Sequence, residues 1–256
     1  MIKVSHLTKE FKLTKRTRKE LGESYKDVKT IKAVNDINFE CVSGKVFGLI
    51  GPNGAGKTTT LRMIATMLKP TAGTILVSGY NTQKEHQKVR EKIGFMTGQT
   101  ALYDRLTPNE MVNYIAELHG MTSGKLSKQK EKLFTLLGMH EFANRRIGRL
   151  SSGMKQKTSI ARTIIHDPDV MVFDEPTEGL DVMTSRNIIE LIRSCRGDKK
   201  TVIFSTHRMG EVKLLCDDIA IIHCGKLYFN GSMEEFESQM VADSFEDEFI
   251  RLVGEG

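Results

Sequence analysis

Residues Gly51 to Thr58 read GPNGAGKT. They follow the apolar run Val46-Phe47-Gly48-Leu49-Ile50 and precede Leu61, Ile64, Ala65 and Leu68 at helical spacing, with Pro70 closing that element. Glycine, four residues, glycine, lysine and threonine is the spacing of a P-loop, and a strand before with a helix after is the context it needs. Gly51, Gly54 and Gly56 let the backbone turn tightly and bring its N–H groups close to an anion. Pro52, Asn53 and Ala55 complete the loop, and the helix after it points the positive end of its dipole at the same place. Lys57 adds a full charge for the terminal phosphates, the Thr58 hydroxyl is placed for Mg²⁺, and Thr59 extends the phosphate-binding set. The stretch predicts a nucleoside triphosphate as ligand.

The chain of 256 residues is long enough for one or two domains with ample core. Its 39% hydrophobic and 27% charged content is that of a soluble globular protein. No run of eighteen apolar residues is present, so no membrane-spanning helix is expected. MIKVSHLTKEF has no apolar signal core, and Cys41, Cys195, Cys216 and Cys224 are scattered without a C-x-x-C pair. Both features point to reduced thiols in a cytoplasmic protein. The net charge of +6 is unevenly placed. Lys12, Lys15, Arg16, Arg18, Lys19, Lys26, Lys29 and Lys32 face only Glu20, Glu23 and Asp27 in residues 12–32, whereas residues 234–256 hold eight acids and one arginine. The basic stretch is either a surface for anionic lipid or a passive insertion. With Tyr25 its one aromatic and no tryptophan in the chain, nucleic acid is not expected as a partner.

Alternation predicts strands over residues 2–11 and 33–41, with residues 12–32 an extended loop. Further strands are expected at Thr74–Val77 and Ile93–Met96. Thr107-Pro108-Asn109-Glu110 is a capping box with proline at the first helical position, and its helix should run to about His119, with Gly120 as the stop. A second helix is expected at about 128–137 and a third after Ser152. Residues 100–165 therefore read as a helical insertion in an α/β chain. Val170–Phe173, Thr201–Thr206 and Ile219–His223 are continuous apolar runs of the kind found in buried parallel strands, with helices between them. Ser232 with Glu235 opens a helix, and Phe245, Phe249, Leu252 and Val253 suggest another at the end.

Asp174-Glu175 follows the Val170–Phe173 strand, at the strand end where ligands gather in parallel sheets. Asp174 suits a Mg²⁺-holding carboxylate and Glu175 a general base for attacking water. Leu150-Ser151-Ser152-Gly153-Met154 resembles the LSGGQ signature of ABC ATPases and lies a short stretch before Asp174-Glu175-Pro176-Thr177, in that family's order. Glu178-Gly179-Leu180-Asp181 resembles its D-loop, and His207 stands at the switch-histidine position. Phe11 stands where an aromatic stacks on adenine, the alternative being a core aromatic. The LYDRLT block at 102–107 and the tail at 245–252 resemble cassettes of ABC-2-type exporters, and FMTGQTALY with Met154–Lys157 is most similar to those of sodium-efflux transporters.

The resemblance implies an α/β P-loop NTPase of ABC type, with a RecA-like parallel-sheet core, an antiparallel β subdomain and an inserted α-helical subdomain. One cassette would span 1–240, and 241–256 would be a helical tail. Function would be ATP hydrolysis that energises export through a separate integral membrane permease, with the chain peripheral on the inner membrane face. Two copies would sandwich ATP, each offering Ser151, Ser152 and Gly153 to the other's nucleotide, with His207 on the γ-phosphate. Ser152 and Met154 depart from the signature's usual Gly and Gln. The glutamine expected to touch Mg²⁺ falls on Gly98 by count, with Gln99 one later; Gln99 is taken as that residue. Sodium is the cargo implied, with drugs, peptides and lipids as alternatives. A soluble ABC ATPase acting on nucleic acid or ribosomes is the rival class, disfavoured by a single cassette with an insertion of ordinary size. A GTPase is disfavoured by the lack of an N-K-x-D motif, and a kinase has no use for residues 150–154.

Overall fold

Two sheets and two hydrophobic cores organise the chain. The computed structural model describes residues 1–23, 26–97 and 102–254. Strands β1 (Ile2–Lys12) and β2 (Thr30–Cys41), then β4 (Ala72–Val77) and β5 (Tyr80–Asn81), form an antiparallel sheet in the order β2-β1-β4-β5. The second sheet contains β6 (Ile93–Met96), β7 (Val170–Asp174), β8 (Thr201–Thr206), β3 (Val46–Ile50), β9 (Asp218–His223) and β10 (Lys226–Ser232), with order β10-β9-β3-β8-β7-β6. All its pairings are parallel except β9 with β10.

The parallel strands bury both faces, which is why they read as continuous apolar runs rather than alternations. Val46, Ile50, Met171, Phe173, Val202 and Phe204 point into one core, shared with the helices. Phe47, Leu49, Val170, Val172 and Ile203 point into the other, shared with Ile2, Val4, Leu7 and the rest of the antiparallel sheet. Helix α2 (Lys57–Ile64) lies on that second side and contributes Leu61, Met63 and Ile64.

On the first side pack α4 (Pro108–Leu118), α5 (Ser123–Leu137) and α6 (Ser152–Ile164). The Thr107–Glu110 capping box is present: Glu110 N–H donates to Thr107 Oγ1 at 3.2 Å, and Thr107 N–H donates to Glu110 Oε2 at 2.8 Å. Each cap of this kind stabilises a helix by about 1 kcal/mol. Helices α7 (Val182–Ser194) and α8 (Met209–Leu215) connect β7 to β8 and β8 to β9. After β10, α9 (Met233–Gln239) starts at the Ser232–Glu235 box. The last helix, α10 (Phe245–Gly254), packs Phe245 on Phe236, with ring centroids 4.6 Å apart. Glu248 pins the connecting segment by accepting the N–H groups of Val241 and Ala242, each at 3.0 Å. Arg251 beside it, with those N–H groups, holds the Glu248 carboxyl down at about 2.

Several expectations need correction. The basic stretch is not simply a loop. β1 extends to Lys12 and β2 begins at Thr30, and between them α1 (Lys15–Leu21) starts on Thr14, whose hydroxyl accepts from Thr17 N–H at 3.1 Å. The helix after the P-loop ends at Ile64, before Pro70: Thr66 adopts φ +60°, and the N–H groups of Met67 and Leu68 turn back to the Arg62 carbonyl. Helix α5 starts at Ser123 rather than 128, because Leu126 is the one apolar residue of its first turns and one residue makes no periodic signal. Helix α3 (His86–Lys92) leaves no sequence signal for the same reason, with Val89 its one buried side chain. Strand β10 is equally silent in the sequence, because its residues are half-exposed and lack clean alternation.

Candidate nucleotide site and the family it defines

The C-terminal ends of β3, β7 and β8 lie side by side, and the predicted chemistry sits on the turns that leave these three strands. After β3 the chain enters Gly51–Gly56. A Cβ on Gly51 would drive into the Ile222 carbonyl oxygen, so only glycine lets the loop pass this close to β9. Gly56, the N-cap of α2, has φ +110°, and a Cβ there would meet the Ala33 carbonyl. Behind the loop, Gly225 N–H donates to Ala55 O at 2.9 Å, so the β9–β10 turn braces it.

Lys57 is buried, with its ammonium 2.6 Å from Gly51 O, 3.0 Å from Pro52 O and 3.1 Å from Glu175 Oε1. Thr58 Oγ1 donates to Asp174 Oδ1 at 2.9 Å, and Ser205 Oγ donates to the same oxygen at 2.7 Å. Ser205 Oγ in turn accepts Glu175 N–H at 3.0 Å. Glu175 has φ +48°, a left-handed conformation unusual for a side-chain-bearing residue and a form of strain concentrated at functional sites. Its other oxygen lies 2.9 Å from His207 Nδ1. One carboxylate thus bridges the P-loop lysine and the residue just beyond β8.

The cleft above these groups has a volume of about 580 Å³ and is lined by Asn53, Thr58, Thr97, Gln156, Asp174, Glu175, Glu178 and Gly179, with Arg62 at its edge. Ser151, Ser152 and Gly153 do not line it. Ser152 instead lines a neighbouring cleft with Thr97, Gln156, Glu178 and Leu180. Ser151 caps α6, accepting Met154 N–H at 3.3 Å, and Asp181 caps α7, accepting Thr184 N–H at 2.9 Å. That N–H bond, with the Thr184 hydroxyl, lowers the Asp181 carboxyl from its ordinary value. A Cβ on Gly153 would lie 3.3 Å from Thr184 Oγ1 and 3.7 Å from Asp181 Oδ2, so the two helix N-termini stand together.

Phe11 is 40% exposed at the end of β1, opposite Ile31, with the Lys9 ammonium 5.2 Å from its ring centroid. The core-aromatic alternative is therefore excluded. Gly98 and Gln99 lie outside the described residues. The oxygen donors of Thr58 and Asp174 suit a hard cation such as Mg²⁺. Among the described residues no group of three or more His, Cys, Asp or Glu side chains could hold a metal by itself, so such an ion would complete its shell from phosphate and water.

The structure also adds residues that the sequence did not single out. Ser205 is one of three hydroxyl residues in β8, with Thr201 and Thr206, and nothing in the strand's sequence set it apart. Gln156 Nε2 donates to the Pro176 carbonyl at 2.7 Å and ties α6 to the turn carrying Glu175. Its position on an exposed-looking helix face gave no warning.

Residues 34–178 match the family described as "ABC transporter". The chain belongs to the ABC transporter family. It is 43% identical to the ABC transporter ATP-binding protein NatA of Bacillus subtilis (strain 168) over 217 residues, 84% of this chain and 88% of that protein. It is 36% identical to the linearmycin resistance ATP-binding protein LnrL of the same organism, over 82% of this chain and 68% of that one. Among solved structures, the ATP-binding cassette MJ0796, a dimer in a post-hydrolysis state bound to ADP and Pi, superposes with a TM-score of 0.77 at 26% identity, covering 91% of this chain and 99% of that chain. The chain is thus an ABC transporter's ATP-binding subunit and an ATPase, and its two-sheet architecture with helices is the ABC cassette fold.

Proposed function

We propose that two copies of this chain close on ATP, that each supplies Ser151–Gly153 to the nucleotide on the other's P-loop, and that closure drives export through a separate membrane permease. The observation that carries this reading is the lining of the main cleft. It contains Asn53 and Thr58 of the P-loop, with Asp174 and Glu175, but none of residues 151–153. The dimeric post-hydrolysis state of the MJ0796 cassette supports it.

In this reading the loop N–H groups and the α2 N-terminus hold the phosphates, and Phe11 offers its exposed ring to the adenine. Lys57 exchanges its contact with Glu175 for a phosphate oxygen, because the triphosphate competes for the same ammonium. That exchange frees Glu175 Oε1 to take a proton from the attacking water, while His207 stays fixed through Nδ1 and turns Nε2 toward the γ-phosphate. Thr58 and Asp174 would hold Mg²⁺, which when bound neutralises charge across the β- and γ-phosphates. The contact of Gln99 with that ion is assigned on its position alone. Loss of the γ-phosphate removes the bridge between the copies, and the resulting opening is the work delivered to the partner.

Among the described residues no helix is long and apolar enough to cross a membrane; in this reading the transport path belongs to the permease partner, and this chain is peripheral on its inner-face side. Tyr103, Tyr114 and Leu118, exposed on α4 and the loop before it, are the apolar side chains that this reading offers to the permease. Sodium is the cargo by the resemblance of residues 95–103 and 154–157; the relative named for linearmycin resistance favours a drug instead.

The test uses Glu175→Gln. ATP turnover should fall by at least about 100-fold, as expected when a base is removed, while a dimer accumulates on gel filtration with ATP and disappears without it. Turnover at the wild-type rate, or a monomer in saturating ATP, would sink the proposal.

A further inference from the structure

Glu211, on α8, is buried at 7% exposure, although nothing in the catalytic reading uses it. Its two oxygens are divided between two chain segments. Thr177 Oγ1 donates to Oε1 at 2.6 Å, and Thr206 Oγ1 donates to Oε2 at 2.9 Å. Both threonines are themselves buried, at 3% and 2% exposure. Arg208 places Nη1 3.5 Å from Oε1 and supplies the countercharge, and its N–H donates to Thr206 Oγ1 at 3.0 Å.

These two hydroxyls stand beside the catalytic pair. Thr206 immediately precedes His207. Thr177 lies two residues after Glu175, in the turn closed by Glu178 N–H on the Glu175 carbonyl at 3.2 Å. A carboxylate taken out of water is costly unless paired and hydrogen-bonded, and a well-packed apolar side chain commonly gives equal stability. Stability alone therefore gives little reason for a carboxylate here. The two bonds do have a geometric consequence. They fix the segment carrying His207 against the segment carrying Glu175, whose side chains meet at 2.9 Å in front of the clamp.

We infer that Glu211 is a positioning residue for ATP hydrolysis, clamping Thr177 to Thr206 so that Glu175 and His207 stay aligned on the attacking water and the γ-phosphate. The turn it holds continues directly into Glu178–Asp181 and is gripped from the other side by Gln156 on α6. A displacement of that turn is therefore carried to His207 through Glu211. The inference rests on the roles given above to Glu175 and His207, and the experiment separates the two.

Steady-state ATPase activity and ATP affinity are measured on Glu211→Ala, Glu211→Gln, Thr177→Val and Glu175→Gln. A misplacement near 1 Å costs up to about 100-fold in rate, so Glu211→Ala should lower kcat by roughly 30-fold while ATP affinity stays within about 2-fold. Glu211→Gln can still accept one hydroxyl bond and donate to the other threonine oxygen, so it should recover to within about 3-fold of wild type. Thr177→Val keeps the side-chain shape and removes one bond, and should lose roughly 10-fold in kcat alone. If Glu211→Ala proves unfolded, Thr177→Val and Glu211→Gln read the same clamp. The inference is overturned if Thr177→Val or a folded Glu211→Ala keeps wild-type kcat. It is equally overturned if kcat, affinity and melting temperature fall together without rescue by Gln, because that is a merely structural loss. Wild-type turnover in Glu175→Gln would instead overturn the reading of the base, whatever the Glu211 variants do.

Discussion

The P-loop and the signature segment are both glycine-bearing helix N-termini, yet they are finished to different degrees. Around the P-loop the chain supplies partners for its own charges. Lys57 is buried against two carbonyls and Glu175, and Asp174 takes two hydroxyl bonds on one oxygen. At the signature, Ser151 and Ser152 are exposed, and the bond assigned to Ser151 is a local helix cap. The first region is a preorganised floor. The second has its donors in place and faces outward. In the proposed dimer, a site split in this way makes association part of the chemistry, because the triphosphate is surrounded only when the two halves meet.

The largest effect should come from breaking the floor. Asp174→Asn removes a charge that receives the Thr58 and Ser205 hydroxyls, and should lower turnover by roughly 1000-fold, measured as phosphate release. Next comes the outward half. Gly153→Asp adds a negative charge to the signature turn, beside Thr184 and Asp181 of its own chain, and should cost roughly 100-fold in turnover while ATP affinity of the monomer, read by equilibrium binding, and melting temperature change little. If affinity fell as much as turnover, the two regions would belong to one intramolecular site. Phe11→Ala removes a stacking face worth about 1–3 kcal/mol, so it should weaken ATP binding by about 10-fold and leave kcat nearly intact.

A smaller, pH-dependent effect separates the supports of the two regions. The signature hangs on the helical insertion, where His119 at the end of α4 stacks on His166 just beyond α6, with ring centroids 3.8 Å apart. Burial, followed by the facing His119, pushes His166 from its ordinary 6.5 down to about 4; Asp167 and Lys200 also face it, and Glu91 faces His119. Between these values the unfolded chain binds the extra proton, so stability is full above about pH 6.5, falls as the pH drops and bottoms out near 4. The loss should be on the order of 3 kcal/mol. Hydrogen exchange at pH 5 should rise in α4 and α6 before it rises in α2, and His166→Phe should flatten that dependence. Equal acceleration in α2 would mean that the floor and the insertion are one cooperative unit.

Legibility in the sequence divides along the same line. Lys57, Thr58, Asp174 and Glu175 stand on strand-end turns that motif spacing makes legible, whereas His207 was placed by the family resemblance. Glu211, Gln156 and Ser205 act across elements that are distant in sequence, and their side-chain types are ordinary for a helix face or strand. Helix α1 was hidden because its stretch is polar and charged, with cap and helix formers but no apolar stripe. The end of α2 was misplaced because proline marks where a helix must stop, whereas Thr66 turned left-handed one turn sooner. Phe11 was assigned to the adenine by resemblance alone, because an aromatic at the end of an alternating strand reads the same whether it faces core or solvent.

Complementation tests the split site most directly. Lys57→Ala and Gly153→Asp should each be nearly inactive when purified alone. Mixed in equal amounts with ATP, random pairing gives heterodimers in about half the population, each with one intact site, or about a quarter of the wild-type number. Turnover of the mixture well above the sum of the separate variants is the predicted result. Turnover equal to that sum, with exchange between copies verified, would contradict an ATP site shared between two chains.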